Sequence, residues 1–372
     1  MLVSFLPVTK TKRTDCEDYS QEMSNLFYFQ LGRQAMRAGL DLCDFKEGQV
    51  VLMPASLCPA VIEPFSNFGL NIKLYGLDRG FQWDVDDIRD QITSDTVAIY
   101  VIHYFGISYD LSEIRGLCND KNLILIEDCA LAGFDQSSSI GTVGDVAIFS
   151  LWKFHPISDG AFLRVNKQFP LFSQFTNETS DFITSFTGQF KIYIKYLAVK
   201  GLIPFSFLKK LLKKNIVIQD DPPNDNFGER YDIFAMSSRT KKVFLGEDLQ
   251  RCGAQRRENY NALHKFCVEN KIPTLYSKIT DDSIPYCFPV IVNDPIAIQN
   301  KMARDGIETE ISINKPFANQ TYLIQVEDQF PDLLHLADRV LSIPIHQNIG
   351  TSQIQHIKKS LLKYALNHYG GH

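Results

Sequence analysis

The 372-residue chain lacks a strong excess of either charge, a long apolar run and a paired-cysteine motif, and each absence removes a class of protein. Its formal net charge is -5, so there is no general footprint for nucleic acid, although a local basic patch would be hidden in so balanced a total. No stretch is long and apolar enough to span a bilayer. The eight cysteines, Cys16, Cys43, Cys58, Cys118, Cys129, Cys252, Cys267 and Cys287, are scattered without a C-x-x-C pair. That spacing offers no metal cage and no redox motif, so no metal is expected, and the thiols read as buried groups in a reducing compartment. The amino terminus turns from apolar to basic to acidic without the long apolar region and small-residue cleavage site of a secretory signal, which leads us to expect a cytoplasmic protein. Repeats and low-complexity tracts are missing too.

What is present is an ordinary globular composition, 45% hydrophobic and 22% charged, on a chain long enough for a large core and two domains. In the first half, short apolar runs alternate with helical patterns. Residues 49–54 (QVVLMP), 70–76 (LNIKLYG), 96–106 (TVAIYVIHYFG), 122–128 (NLILIED), 145–150 (DVAIFS) and 161–166 (AFLRVN) read as strands. Several have no polar alternation, as expected of strands buried on both faces. Between them, residues 84–92 and 110–121 space their apolar side chains as helices do, with Asp84 and Asp110 as N-caps. This order implies an α/β protein with a mostly parallel sheet covered by helices, and in such sheets chemistry gathers at the carboxyl ends of the strands.

Three features fall at those ends. Glu127 and Asp128 close the run LILIED; an isolated acidic pair is more often a cap or a solvated loop, but its place at a strand end makes it a candidate. Lys153, in FSLWKFHPISDGAF, stands between a tryptophan and a phenylalanine just after a strand that ends in Ser150. A cation with so few polar neighbours is costly unless it is paired or chemically altered; the plain alternative is a lysine snorkelling from a sheet rim. Upstream, Gly32 precedes a helical pattern and Arg33 adds charge, so backbone N–H groups and a positive helix end would face an anion. Alone, one glycine before a helix is usually punctuation. Together, an anion cradle, a carboxylate, a hydroxyl and an amine are the parts of a pyridoxal phosphate (PLP) site.

The stretches GRQAM, VIHYFG, LILIEDCA, GDVAIFS, the lysine followed by SDGA, and ADRVLSIPIHQNI resemble the DegT/DnrJ/EryC1/StrS family of sugar aminotransferases over roughly residues 25 to 365. The resemblance implies the type I fold of PLP-dependent transferases, with a large domain and a smaller C-terminal α+β domain. It also implies PLP as cofactor, Lys153 as the Schiff-base lysine and Asp128 as partner of the ring nitrogen. Gly32, Arg33, Gln34 and Ser150 would be cofactor contacts, with Cys58 and His103 at two further cofactor positions. The loop from Ser150 to Lys153 is two residues shorter than in the commonest members, as in a subgroup that shares the GR of the cradle. Other departures are Leu131 where many members have a His or Gln for the cofactor's phenolic oxygen, with His103 or His155 as substitute donors. Cys58 or Leu57 replaces a ring-stacking aromatic, Gly160-Ala161 replaces a Gly-Gly pair, and IFAM (residues 233–236) replaces an Asn-Tyr-Arg stretch that reaches a neighbouring subunit's cofactor.

The implied activity is transfer of an amino group, with glutamate as donor, to a keto group of a nucleotide-linked sugar by a homodimer. Two rivals stand. Sugar dehydratases of the same family use a histidine in place of the lysine, which Lys153 argues against; a catalytically silent relative could serve as a PLP-binding or scaffold subunit. A nicotinamide enzyme is disfavoured, since no G-x-G-x-x-G follows the first strand. The expected domains are residues 1–235, with a Lys-rich insertion near 168–225, and 236–372. Within the insertion, residues 190–215 carry seven lysines and no acid among apolar residues. They read as a packing or lid helix in preference to an interfacial helix on an anionic membrane, and residues 219–229 read as a linker. Residues 236–270 form one long helical pattern leading into 286–292, 301–311 and 340–345, a smaller α+β domain.

Overall fold

A computed structural model describes residues 2–4, 6–7, 25–170, 233–311, 326 and 328–365. Seven strands form one sheet: β1 (Leu26–Phe29), β2 (Val50–Pro54), β3 (Asn71–Tyr75), β4 (Thr96–Ile102), β5 (Ile124–Cys129), β6 (Val146–Ser150) and β7 (Ala161–Val165). Their order is β1-β7-β6-β5-β4-β2-β3. Every neighbour pair is parallel except those of β7, which runs antiparallel to both β1 and β6. The carboxyl ends of β1, β2, β4, β5 and β6 therefore share one edge, where the amino end of β7 joins them.

The apolar runs are buried on both faces for a visible reason. Ala98, Tyr100 and Ile102 of β4 join one core with helix α1 (Gly32–Leu42), whereas Ile99 and Val101 join another with Ile88, Ile114 and Leu117. These last three lie on helices α3 (Val85–Gln91) and α4 (Ser112–Lys121); α2 (Pro59–Asn67) follows β2. Asp84 caps α3 as expected, its side chain accepting from the N–H groups of Asp86 and Asp87. Asp110 lies one residue outside the cap of α4, which is Leu111, and its carboxylate takes the Ser112 N–H at 2.9 Å instead.

The single helical pattern over 236–270 is two helices, α5 (Ser238–Leu245) and α6 (Leu249–Glu269). Gly246 ends the first, and Asp248, two residues on, starts the second by accepting the Arg251 N–H, so a stop and a start signal interrupt one apolar periodicity. Beyond them, β8 (Cys287–Ile291) and β9 (Val340–Pro344) form an antiparallel pair, flanked by α7 (Pro295–Arg304), α8 (Pro331–Ala337) and α9 (Thr351–Ala365). One continuous core joins this pair to the large sheet, containing Leu163 of β7 as well as Phe288 and Leu341. The junction is close: the Tyr286 N–H donates to Phe105 O at 2.8 Å, and a Cβ on Gly106 would collide with the backbone of Ile284 and Leu131.

The IFAM stretch lies against β1, with the Gln30 N–H donating to Phe234 O and the Met236 N–H to Tyr28 O. Residues 190–215 and 219–229 lie outside the described residues, as does most of the expected insertion. Among the described residues no helix is long and apolar enough to cross a membrane.

Candidate active site

Alternation along β5 sends its two terminal acids to opposite faces of the sheet. Asp128, 6% exposed, stands on the face shared with Tyr100 and α1. Its Oδ2 accepts from the Tyr100 hydroxyl at 2.7 Å and its Oδ1 from the Ala130 N–H at 2.8 Å. Burial, then the charge and hydrogen bond of Asp128, hold the Tyr100 phenol far above its ordinary value, so it remains a neutral donor.

Glu127 is fully buried and serves the opposite face. It accepts from His103 Nε2 at 2.8 Å, from the N–H groups of Gly141 and Val143, and from the Gly144 N–H. Burial pushes this carboxyl up, but the His103 hydrogen bond and charge and the Gly144 and Gly141 N–H groups outweigh it and hold it below the usual range. The other His103 nitrogen faces Ile107 O at 3.2 Å. Both ring nitrogens of His103 thus have protein partners: Nε2, through Glu127, joins β4 to the 141–144 turn, and Nδ1 faces Ile107 O. Cys129 lies close to this pair, but the carboxylate is already saturated by protein donors.

Ser150 ends β6, next to β5, and Lys153 ends the single 3₁₀ turn that follows, Leu151–Lys153. Among the described residues the Lys153 amine makes no hydrogen bond or ion pair; its one polar contact is with the Trp152 ring, 5.9 Å from the centroid. The Ser150 hydroxyl, 6% exposed, also has no hydrogen bond among them. The lysine turn is tied to the start of α1 through one glycine: the Leu151 N–H donates to Gly160 O, and the Gly160 N–H to Gln30 O at 2.7 Å. Gly160 has φ +118°, a conformation other residues rarely adopt, and this lets it bridge β1 and β6 at the mouth of β7. At α1, an added Cβ on Gly32 would meet nothing within 4 Å, and the Gln34 side chain accepts the Leu31 N–H. Arg33 is paired with Glu63 at 3.3 Å, so its charge is shared with a carboxylate of α2.

Behind the lysine, Phe154 is gripped by the C-terminal part of the chain. Gln347 Nε2 donates to Phe154 O at 2.7 Å, and the Arg256 guanidinium of α6 lies 4.5 Å from the Phe154 ring centroid. Arg256, 1% exposed, also donates to Gln347 Oε1, Pro285 O and Tyr286 O. His155 is buried against Phe244, and burial, with a smaller push from Arg256, drives its pKa down to about 3. Cys58 is an exposed thiol at the start of α2, and Leu131 packs at the edge of the main core.

A sequence profile of the DegT/DnrJ/EryC1/StrS aminotransferase family matches residues 26–161 and 225–362. The chain belongs to this family. Curated relatives include the GDP-perosamine synthases of Vibrio cholerae, 27% identical over 35% of this chain and 36% of the relative, and of Escherichia coli O157:H7, 30% identical over the same shares. The matched stretch thus spans about a third of those relatives' length. Among solved structures, the Bacillus subtilis protein NtdA with bound cofactor PMP superposes with a TM-score of 0.67 at 16% identity, over 98% of this chain and 85% of that one. That likeness concerns the fold, which is the type I fold of PLP-dependent sugar aminotransferases.

For a member of the DegT/DnrJ/EryC1/StrS family, the residues present fit PLP. An amine and a hydroxyl that make no hydrogen bond among the described residues, a buried carboxylate on the adjacent strand and an open helix N-terminus lie along one sheet edge. Sequence reasoning overlooked Tyr100, Gln347 and Arg256. Tyr100 had a signal: a phenol inside the apolar run TVAIYVI must find an acceptor once buried. Gln347 lies in the stretch ADRVLSIPIHQNI, which did not reveal its role, and Arg256 had no signal, because Gln347 is 91 residues away and its other partners are backbone carbonyls.

Proposed function

We propose that the chain is a PLP-dependent transaminase, working as a homodimer, that moves an amino group from glutamate to a keto group of a nucleotide-linked sugar. Family membership supports the reaction class, and the GDP-linked products in the names of the curated relatives support the substrate class. The observation that carries the reading is Lys153: a half-buried amine at the end of the turn after β6, with no hydrogen bond or ion pair among the described residues and one strand from a buried carboxylate.

Bound PLP would supply an electron sink that stabilises negative charge at the carbon losing its proton. The protein's own residues do the rest. The first-turn N–H groups of α1, with Gly32 leaving room for close approach, would hold the phosphate, and Ser150 would add a hydroxyl. Asp128 would hold a proton on the ring nitrogen, since a buried carboxylate favours a cation beside it. Lys153 would bind the cofactor covalently and, once released by the incoming amine, carry the proton between substrate carbon and cofactor. The hold of Gln347 and Arg256 on Phe154 keeps the lysine turn in place for both tasks.

The test is incubation of the PLP-loaded protein with ¹⁵N-glutamate and a panel of keto-sugar nucleotides. The reading requires ¹⁵N in an amino-sugar nucleotide and 2-oxoglutarate in equal amount. Cofactor uptake with no transfer to any keto sugar would favour a silent, PLP-binding subunit.

A further inference from the structure

Tyr100 is placed where a strand interior needs only a hydrocarbon. It is fully buried in the middle of β4, between Ala98 and Ile102 on the same face, and packs edge-on against Phe65 with ring centroids 5.6 Å apart. A phenylalanine would fill that space equally well. The hydroxyl adds one interaction, the 2.7 Å bond to Asp128 Oδ2. The strand itself is braced there, since the Tyr75 hydroxyl of β3 donates to Tyr100 O at 2.7 Å. With the Ala130 N–H on Oδ1, the Asp128 carboxylate has a donor on each oxygen, which fixes its plane.

We propose that Tyr100 is the positioning residue for Asp128: its hydroxyl sets the orientation of the carboxylate at the place where the cofactor's ring nitrogen would bind. This rests on the reading of the site given above. A carboxylate held from both sides meets a cationic ring without reorganising. A carboxylate held on one side alone must give up rotational freedom and bears its charge in a drier place.

The experiment uses the full-length protein and reads cofactor binding, not turnover. PLP is titrated into apo wild type, Tyr100→Phe, Asp128→Asn and the double variant, with affinity taken from absorbance and ring orientation from the circular dichroism the site induces in the cofactor band. Tyr100→Phe should bind PLP about tenfold more weakly, the effect of losing one charge-assisted hydrogen bond, with a reduced induced band. In the Asp128→Asn background, the same Tyr100 change should have no further effect, because the hydroxyl acts only through the carboxylate. Equal PLP affinity and an equal induced band in wild type and Tyr100→Phe would overturn the proposal, as would an undiminished loss in the Asn background, which marks a purely structural tyrosine. Wild type that takes up no PLP would overturn the cofactor reading itself, and this proposal with it. Urea midpoints of the apo proteins separate these outcomes from simple misfolding, and Tyr100→Leu, which lacks both ring and hydroxyl, shows what a packing defect looks like.

Discussion

Replacing Glu127 with glutamine keeps the shape of the side chain and removes its charge. The carboxylate accepts four hydrogen bonds, two on each oxygen, from His103, Gly141, Val143 and Gly144. The amide keeps one accepting oxygen and turns an NH₂ group toward two of the four donors. Two charge-assisted bonds are therefore lost, each worth about 1.5 kcal/mol or more, so Glu127→Gln should cost about 3 kcal/mol. Against a total stability of about 5–15 kcal/mol this is a large fraction. The effect depends on pH with a definite sign. The folded carboxyl titrates below its ordinary value, so the unfolded chain takes up the proton first as pH falls. Its contribution is complete above the usual glutamate range and fades as pH drops through the folded value. Urea unfolding of wild type and variant, at pH 7 and then in steps below pH about 4.5, reads this directly. The gap should be full at pH 7 and should narrow in acid. A gap below about 1 kcal/mol at pH 7, or one that does not narrow, would refute the view that this carboxylate anchors the 141–144 turn.

Other consequences follow from single positions. Gly160→Ala places a Cβ 3.0 Å from Thr240 Cγ2 at φ +118°, and should lower the unfolding free energy by about 1–3 kcal/mol, read as a lower denaturant midpoint at unchanged slope. His155 has a folded pKa of about 3 and an ordinary one of 6.5, so it should take about 1.4 kcal/mol of stability per pH unit from wild type as pH falls from 6.5 toward 3; in His155→Phe, which has no proton to refuse, that share of the slope should be missing, most visibly between pH 6.5 and 4.5, above the range of Glu127. Arg256→Met leaves Gln347 Oε1, Pro285 O and Tyr286 O without their donor, and should cost about 3 kcal/mol or more by thermal or urea unfolding. A change under about 0.5 kcal/mol would show that Arg256 is a passive filler.

Local chemistry made much of this legible. Six of the seven strands of the large sheet end within four residues of the apolar runs that announce them, because strands buried on both faces must be continuously apolar; β1, an aromatic run of four residues, is not among those read as strands. Lys153 and Asp128 stand out for the same reason: each is a charge at the end of such a run. The antiparallel course of β7 was hidden, since an apolar run of five carries no direction. The split between α5 and α6 was hidden because buried residues continue at near-helical spacing on both sides of it, Thr240 and Phe244 before and Leu249 and Cys252 after. His103 shows the limit of reasoning by residue type. A histidine after a strand in a crevice reads as a cofactor contact, yet its ring turns to the opposite face of the sheet, where a buried glutamate takes it. Nothing in the local sequence says which of Glu127 and Asp128 faces the site, because a one-residue change of register would exchange them.

The central claim is that Lys153 is the amine that binds PLP. It is tested most directly by loading the protein with PLP, reducing it with borohydride, and mapping the reduced cofactor by peptide mass spectrometry. The account predicts one stoichiometric adduct on Lys153, and none in Lys153→Ala. An adduct on another lysine with Lys153 unmodified, or a loaded protein that yields no adduct, would contradict it.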